Sequence, residues 1–280
     1  MSVLGRILVF TGLVTCLAAS SLAAGDERPV VVDSGIKPEK PAVGTIPTLW
    51  IAGDSTAKNT DGMRGWGQDL GHFFDPKKIT VVNNAIAARS SRTFFTEGRW
   101  QRILEAIKPG DWVIIQFGLN DGGKPDAGSK FRASLKGVGE ETQDVTKPDG
   151  TVETVHTFGW YMKNYALTAR AKGANVILCS PIPHKKFDSS GKFVRDWEDL
   201  SAWVASCAEE ENAYYVDLCE LISRGYDKLT PPEIVAFFAD KGTNTSEAGS
   251  LFNARALVTG LQTLKGNPLG AYSVPATPAK

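Results

Sequence analysis

The sequence predicts an α/β fold: a three-layer αβα sandwich around a mainly parallel, five-stranded sheet. Short apolar runs rich in β-branched residues recur along the chain, they lack polar alternation, and longer amphipathic stretches separate them. A strand without alternation is buried on both faces, as a parallel strand is when helices cover it. Strands alternating with helices are the pattern of the doubly wound sandwich.

The first strand is expected at residues 48–52, around Leu49, Trp50 and Ile51, and the second at 80–83, around Val81 and Val82. The third, 112–117, is apolar from Trp112 to Phe117 except for Gln116. A helix is expected between the second and third, at 100–107, and another at 158–172 before the fourth strand, 175–179, with Val176, Ile177 and Leu178. A helix at 197–211 leads to the fifth strand, 214–217, and a last helix spans 246–264. Residues 123–155 break the alternation with a Gly-, Lys- and Asp-rich stretch, in which Pro148-Asp149-Gly150 signals a turn between two short β-like pieces. That stretch is either a hairpin inserted over the site or a tolerated surface insertion.

The N-terminus has a different character. Arg6 is followed by an apolar run from Ile7 to Ala19 and then by small residues to Ala24, the pattern of a secretory signal peptide over residues 1–24. The competing reading, a membrane anchor, needs about 18 to 20 apolar residues, more than this run supplies. Cys16 follows Leu13-Val14-Thr15, which leaves lipidation as a minor alternative. The expected address is therefore secreted or periplasmic. Residues 25–47, rich in Pro, Lys and Asp, read as a flexible lead-in, residues 48–270 as one domain, and 271–280 as a tail.

Charge is balanced at 31 basic and 31 acidic residues, and 42% of residues are hydrophobic, so neither disorder nor a nucleic-acid footprint is indicated. Beyond the signal, Cys179, Cys207 and Cys219 make an odd number, compatible with three buried thiols or with one disulfide between Cys207 and Cys219. His72, His156 and His184 are scattered and none lies near a cysteine pair, so no metal site is expected and no cofactor is implied. His72, in Gly71-His72-Phe73-Phe74, reads as packing.

In open parallel sheets ligands bind beyond the carboxyl ends of the strands. After the first strand comes Ala52-Gly53-Asp54-Ser55-Thr56, which puts a hydroxyl beside backbone amides where strand turns to helix, a fitting place for a nucleophile. The second strand leads into Asn83-Asn84-Ala85-Ile86-Ala87-Ala88-Arg89-Ser90, and the third into Gly118-Leu119-Asn120-Asp121. These segments, in this order, resemble the first three sequence blocks of the SGNH/GDSL esterases. Gly65-Trp66-Gly67-Gln68, Arg89-Ser90-Ser91-Arg92, His156-Thr157-Phe158 and Ser180-Pro181-Ile182-Pro183 are similar to the rhamnogalacturonan acetylesterase branch.

The resemblance covers about residues 48 to 270 and implies a flavodoxin-like sandwich that removes acetyl groups from a pectic plant polysaccharide. It implies Ser55 as nucleophile and the amides of Ser55 and Ala88 with the Asn120 side chain as oxyanion donors. Asp54 and Arg89 would line the substrate groove. Ala88 fills the family's glycine slot; its amide can still donate if the backbone there does not need positive φ.

One departure is serious. The family's last block, Asp-x-x-His before Thr-Ser, here reads Asp240-Lys241-Gly242-Thr243-Asn244-Thr245-Ser246. Asn244 takes the histidine slot, and either Lys241 or, with one inserted residue, Asp240 takes the aspartate slot. An asparagine amide cannot accept the serine's proton near neutral pH. Three readings remain open: a degenerate hydrolase that still binds its glycan, a substitute base at His184 or His156, or a rearranged last block acting through Asp240.

Overall fold

The computed structural model describes residues 31–32, 36–128 and 130–274. The expected signal peptide and Cys16 lie outside the described residues. Among the described residues the main sheet has six strands: β1 (Val31–Val32), β2 (Thr48–Gly53), β3 (Thr80–Asn83), β4 (Trp112–Gln116), β7 (Asn175–Cys179) and β8 (Tyr214–Val216), in the order β1-β8-β7-β4-β2-β3. All five expected strands are present and mutually parallel. The sixth, β1, pairs antiparallel with β8, Val31 opposite Val216. It lies in the stretch expected to be an unstructured lead-in, where the Glu39 amide also donates to Asn175 Oδ1 at 2.7 Å.

Alternate residues of the central strand serve two cores. Trp112 and Ile114 point into one, with Leu49, Ile51 and Trp66, while Val113 and Ile115 point into the other, with Phe94, Trp100 and Tyr165. The first face is covered by α5 (Leu218–Tyr226) and α7 (Glu247–Thr263), the second by α2 (Arg99–Ala106), α3 (Phe158–Ala171) and α4 (Glu198–Glu210). Burial on both faces explains why the strand runs carry no polar alternation.

Helices start where a polar side chain can satisfy a free amide. Ser90 accepts from Thr93 N at the start of α1 (Ser91–Thr96), Thr157 from Trp160 N at α3, Asp217 from Glu220 N at α5 and Ser246 from Gly249 N at α7. The short helices α1, α5 and α6 (Pro231–Ala236) had no sequence period long enough to announce them.

Residues 123–155 hold a hairpin, β5 (Thr142–Thr146) and β6 (Val152–His156), turning at the expected Pro148-Asp149-Gly150. Cys179, Cys207 and Cys219 are buried free thiols. The beginning of the expected tail is packed: Ser273 bridges to Phe74.

Strand order reverses at β2: the chain goes from β2 outward to β3, then returns to the other side of β2 for β4. The carboxyl ends of β2 and β4 flank this switch point, where the fold leaves a crevice.

Candidate active site

Gly53 closes β2 because a Cβ there would stand 3.0 Å from Gln116 O and 3.1 Å from Ala57 Cβ. The chain then turns, and Ser55 is the half-buried residue at the turn. Ser55, Ala88 and Asn120, one from each of three successive strand ends, line a single cavity of about 380 Å³. Among the described residues, neither the Ser55 amide nor the Ala88 amide donates to a protein group. Asn120 Nδ2 gives one proton to Arg89 O at 2.9 Å, which fixes the carboxamide and leaves its second proton available. Two free amides and a positioned carboxamide around a serine hydroxyl are the parts of an oxyanion hole.

Ala88 has φ of 65°. The condition set on the alanine is thus not met, since the backbone here does take positive φ: the left-handed turn is kept with its amide free, and alanine bears the steric cost, about 1–2 kcal/mol. Ala88→Gly is therefore expected to stabilise the protein by about 0.5–1 kcal/mol, net of glycine's greater freedom when unfolded, in urea denaturation. An unchanged or lower midpoint would contradict it.

Asp54 is fully buried, so it does not line the groove as expected; it sits beneath the nucleophile's turn. Its Oδ1 accepts from Thr56 N at 2.9 Å and lies 2.7 Å from Thr56 Oγ1, which is also 2.8 Å from Gln116 Oε1. The Gln116 amide cannot be reversed, because Oε1 accepts from Trp66 Nε1 at 2.9 Å and an indole N–H only donates. One hydroxyl proton cannot make two full-length bonds to two acceptor oxygens, so a proton on Asp54 completes the set.

Burial agrees, pushing the Asp54 carboxyl up to about 6. The folded protein then holds a proton that the unfolded chain, with its ordinary value near 4, releases. The resulting stabilisation is complete below about pH 4 and is lost as pH rises through about 6. Asp54→Asn has nothing to ionise there, so its stability, measured by thermal melts from pH 4 to 7.5, is expected to lack this decline. Parallel curves for the two proteins would refute the assignment.

The last block is built around Asp240. Its Oδ1 accepts from the amides of Gly242, Thr243 and Asn244 at 2.7–3.0 Å, and its Oδ2 from Asn244 Nδ2 at 2.6 Å. Asp240, not Lys241, is thus the aspartate of the block, and the inserted residue is absorbed by the turn it caps. These hydrogen bonds outweigh desolvation and hold the carboxyl below its ordinary range, which makes it a poor base.

Asn244 Oδ1 in turn accepts from Asn59 Nδ2 at 2.9 Å. Gln68 sets the Asn59 loop, accepting from the amides of Asn59 and Gly65. Thr245 O accepts from Arg64 N, and Thr245 Oγ1 donates to Arg64 O. The Gly65-Trp66-Gly67-Gln68 segment therefore acts by clamping the last block beside Ser55; Asn59, Asp240 and Asn244 all line the serine's cavity.

Neither proposed substitute base lines that cavity. His184 Nδ1 is 2.6 Å from Asp196 Oδ2, and its ring packs on Trp197. His156 ends β6 with its ring stacked on Trp160, centroids 3.7 Å apart. Arg89 does not line it either: its Nε donates to Glu97 at 3.0 Å and its Nη1 to Ala87 O. Lys130 and Arg132, which sequence reasoning missed, do line it. They lie in the irregular stretch after β4, where no period or motif marks them.

This constellation defines a serine hydrolase whose nucleophile and oxyanion donors stand on three successive strand ends at the switch point of a flavodoxin-like sheet. The chain belongs to the GDSL-like lipase/acylhydrolase family, whose sequence model matches residues 51–249, and is a serine ester hydrolase by class. It is 34% identical over 197 residues to "Probable rhamnogalacturonan acetylesterase YesY" of Bacillus subtilis strain 168, covering 69% of this chain and 75% of that one. It is 33% identical over 211 residues to the rhamnogalacturonan acetylesterase of Emericella nidulans, covering 75% and 83%. The crystal structure of protein YxiM from Bacillus subtilis superposes with a TM-score of 0.63 at 29% identity, covering 78% of this chain and 56% of that longer one. The acetylxylan esterase Axe2 of Geobacillus stearothermophilus shares the fold at a TM-score of 0.53 and 20% identity.

Proposed function

We propose that this protein is a carbohydrate acetylesterase acting on O-acetyl groups of a pectic polysaccharide, outside the cytoplasm, with Ser55 as nucleophile. The observation that carries the reading is the convergence of Ser55, Ala88 and Asn120 on one cavity, in a chain related to rhamnogalacturonan acetylesterases. The acidic character of such a substrate matches the cavity's charge. Lys130 and Arg132 make no ion pair among the described residues, and the one carboxylate there, Asp240, is already bound by four donors. The extracellular address is supported by the basic, apolar and small-residue pattern of residues 1–24.

A second reading, a glycan-binding protein with little turnover, is favoured by Asn244. Both ends of its amide are engaged, and among the described residues no side chain takes a hydrogen bond from the Ser55 hydroxyl. Acetate release from acetylated pectin by the purified protein, abolished by Ser55→Ala, is the expected outcome. Equal glycan affinity in the two proteins with no acetate from either would replace the first reading by the second.

A further inference from the structure

Ala87 to Ser90, the stretch that carries the second oxyanion amide, belongs to no helix or strand, so its peptides are held by other means. Three successive carbonyls there each accept from a different side chain. Ala87 O takes Arg89 Nη1 at 3.2 Å, Ala88 O takes Arg132 Nη1 at 3.2 Å, and Arg89 O takes Asn120 Nδ2 at 2.9 Å. A peptide is planar with its N–H opposite its C=O, so a donor that fixes the oxygen also aims the amide.

The three peptides are not equally secured. The one joining Ala88 to Arg89 is held at both ends, since Arg89 N also donates to Ile86 O at 3.4 Å. So is the one joining Arg89 to Ser90, whose N donates to Thr93 Oγ1 at 2.9 Å. The peptide joining Ala87 to Ala88 carries the amide offered to an oxyanion. Among the described residues its one hydrogen bond is that from Arg89 to Ala87 O.

This peptide also has a reason to turn over. Reversing it would take Ala88 from its φ of 65° to about −115°, in the broad region that alanine prefers, and would point the amide the opposite way. A glycine would gain nothing by the reversal, because it adopts either sign of φ about as readily. Arg89 stands against it from outside the cavity, and is itself anchored: Glu97 Oε2 accepts from Arg89 Nε at 3.0 Å and from Arg99 Nε at 2.5 Å.

We propose that Arg89 is a positioning residue for the hydrolysis: through Ala87 O it holds the preceding peptide so that the Ala88 amide faces the reacting carbonyl, against alanine's preference for the reversed form. This rests on Ala88 as an oxyanion donor, and the test separates the two.

Arg89→Ala is compared with the unaltered protein in p-nitrophenyl acetate hydrolysis and by crystallography. The Arg89 side chain is 32% exposed and Arg99 stays on Glu97, so the substitution opens no core and strands no carboxylate. In the variant, kcat is expected to fall about 5- to 30-fold, the odds set by alanine's preference for negative φ. KM should change less than about twofold, because the amide acts on the transition state. Adding Ala88→Gly to Arg89→Ala is expected to bring kcat back within about threefold of the unaltered protein, since glycine keeps the productive turn about half the time. Arg99→Ala, which removes the same charge beside Glu97 without touching the turn, should alter kcat less than about twofold.

The Arg89→Ala crystal should show Ala88 at negative φ. Ala88 still at positive φ overturns the role, as does a loss of kcat that Ala88→Gly fails to relieve or that Arg99→Ala matches. A reversed peptide with undiminished kcat would keep Arg89 as its holder and refute Ala88 as an oxyanion donor. Should none of the proteins hydrolyse the ester, the esterase reading fails, and φ at Ala88 in the crystal still decides on Arg89.

Discussion

Asn244→His is expected to raise acetate release from a chromogenic acetate by about 10³-fold or more, the scale on which a triad's base contributes. The site needs little rearrangement to use it. Asp240 Oδ2 already binds the side chain at position 244 at 2.6 Å and would take an imidazole Nδ1–H in place of the amide. Orienting the ring in this way leaves Nε2 as the acceptor of the Ser55 proton. Asn59 Nδ2 loses its present acceptor, Asn244 Oδ1, and must turn to water. Rates of the variant should rise with pH as the new imidazole deprotonates, near its ordinary value of about 6.5. A variant that folds, binds glycan and gains less than about tenfold would mean that the serine already has a working base, or that the inserted residue holds position 244 out of reach.

Arg92→Ala is expected to cost about 3 kcal/mol of stability, at the lower end of the range for removing one partner of a buried pair. The Arg92 side chain is 0% exposed. Its Nε donates to Glu153 Oε1 at 2.7 Å and its Nη1 to Pro125 O at 3.1 Å and Ala133 O at 2.8 Å. One side chain thus ties α1 to the hairpin and to both ends of the 125–133 segment. The estimate sits low in the range because Glu153 stays 12% exposed and keeps Lys147 at 2.8 Å, so it is not left as an isolated buried charge. Since Lys130 and Arg132 ride on that segment, glycan affinity should fall together with stability. Urea denaturation showing a loss below about 1 kcal/mol would mean that the hairpin and loop hold their places without the guanidinium.

Much of the site was legible in residues because its parts follow strands that announce themselves. Apolar runs without alternation locate β2, β3 and β4, and Ser55, Ala88 and Asn120 lie within a few residues of their carboxyl ends. Arg89 was misread because a guanidinium in a family segment has two destinations, the groove or a nearby carboxylate. Glu97, eight residues on, took it. The histidines were misplaced for a similar reason. Position after a strand gives the edge of the sheet on which a residue emerges, but Asp196 and Trp160 determine where His184 and His156 rest.

By itself, the sequence determined the αβα sandwich, its five parallel strands and the strand ends that carry the chemistry, because hydrophobic periodicity and turn residues act over a few neighbours. Only the tertiary structure decided that Asp240 partners Asn244, that Ala88 keeps a left-handed turn, that Asp54 is a buried acid and that Lys130 and Arg132 line the serine's cavity. The setting of those features depends on groups far apart in the chain meeting in space: Asn59 holds Asn244, and Gln116 meets Thr56 over Asp54. Burial and hydrogen bonding, which set charge and conformation, are properties of such meetings and not of any single segment.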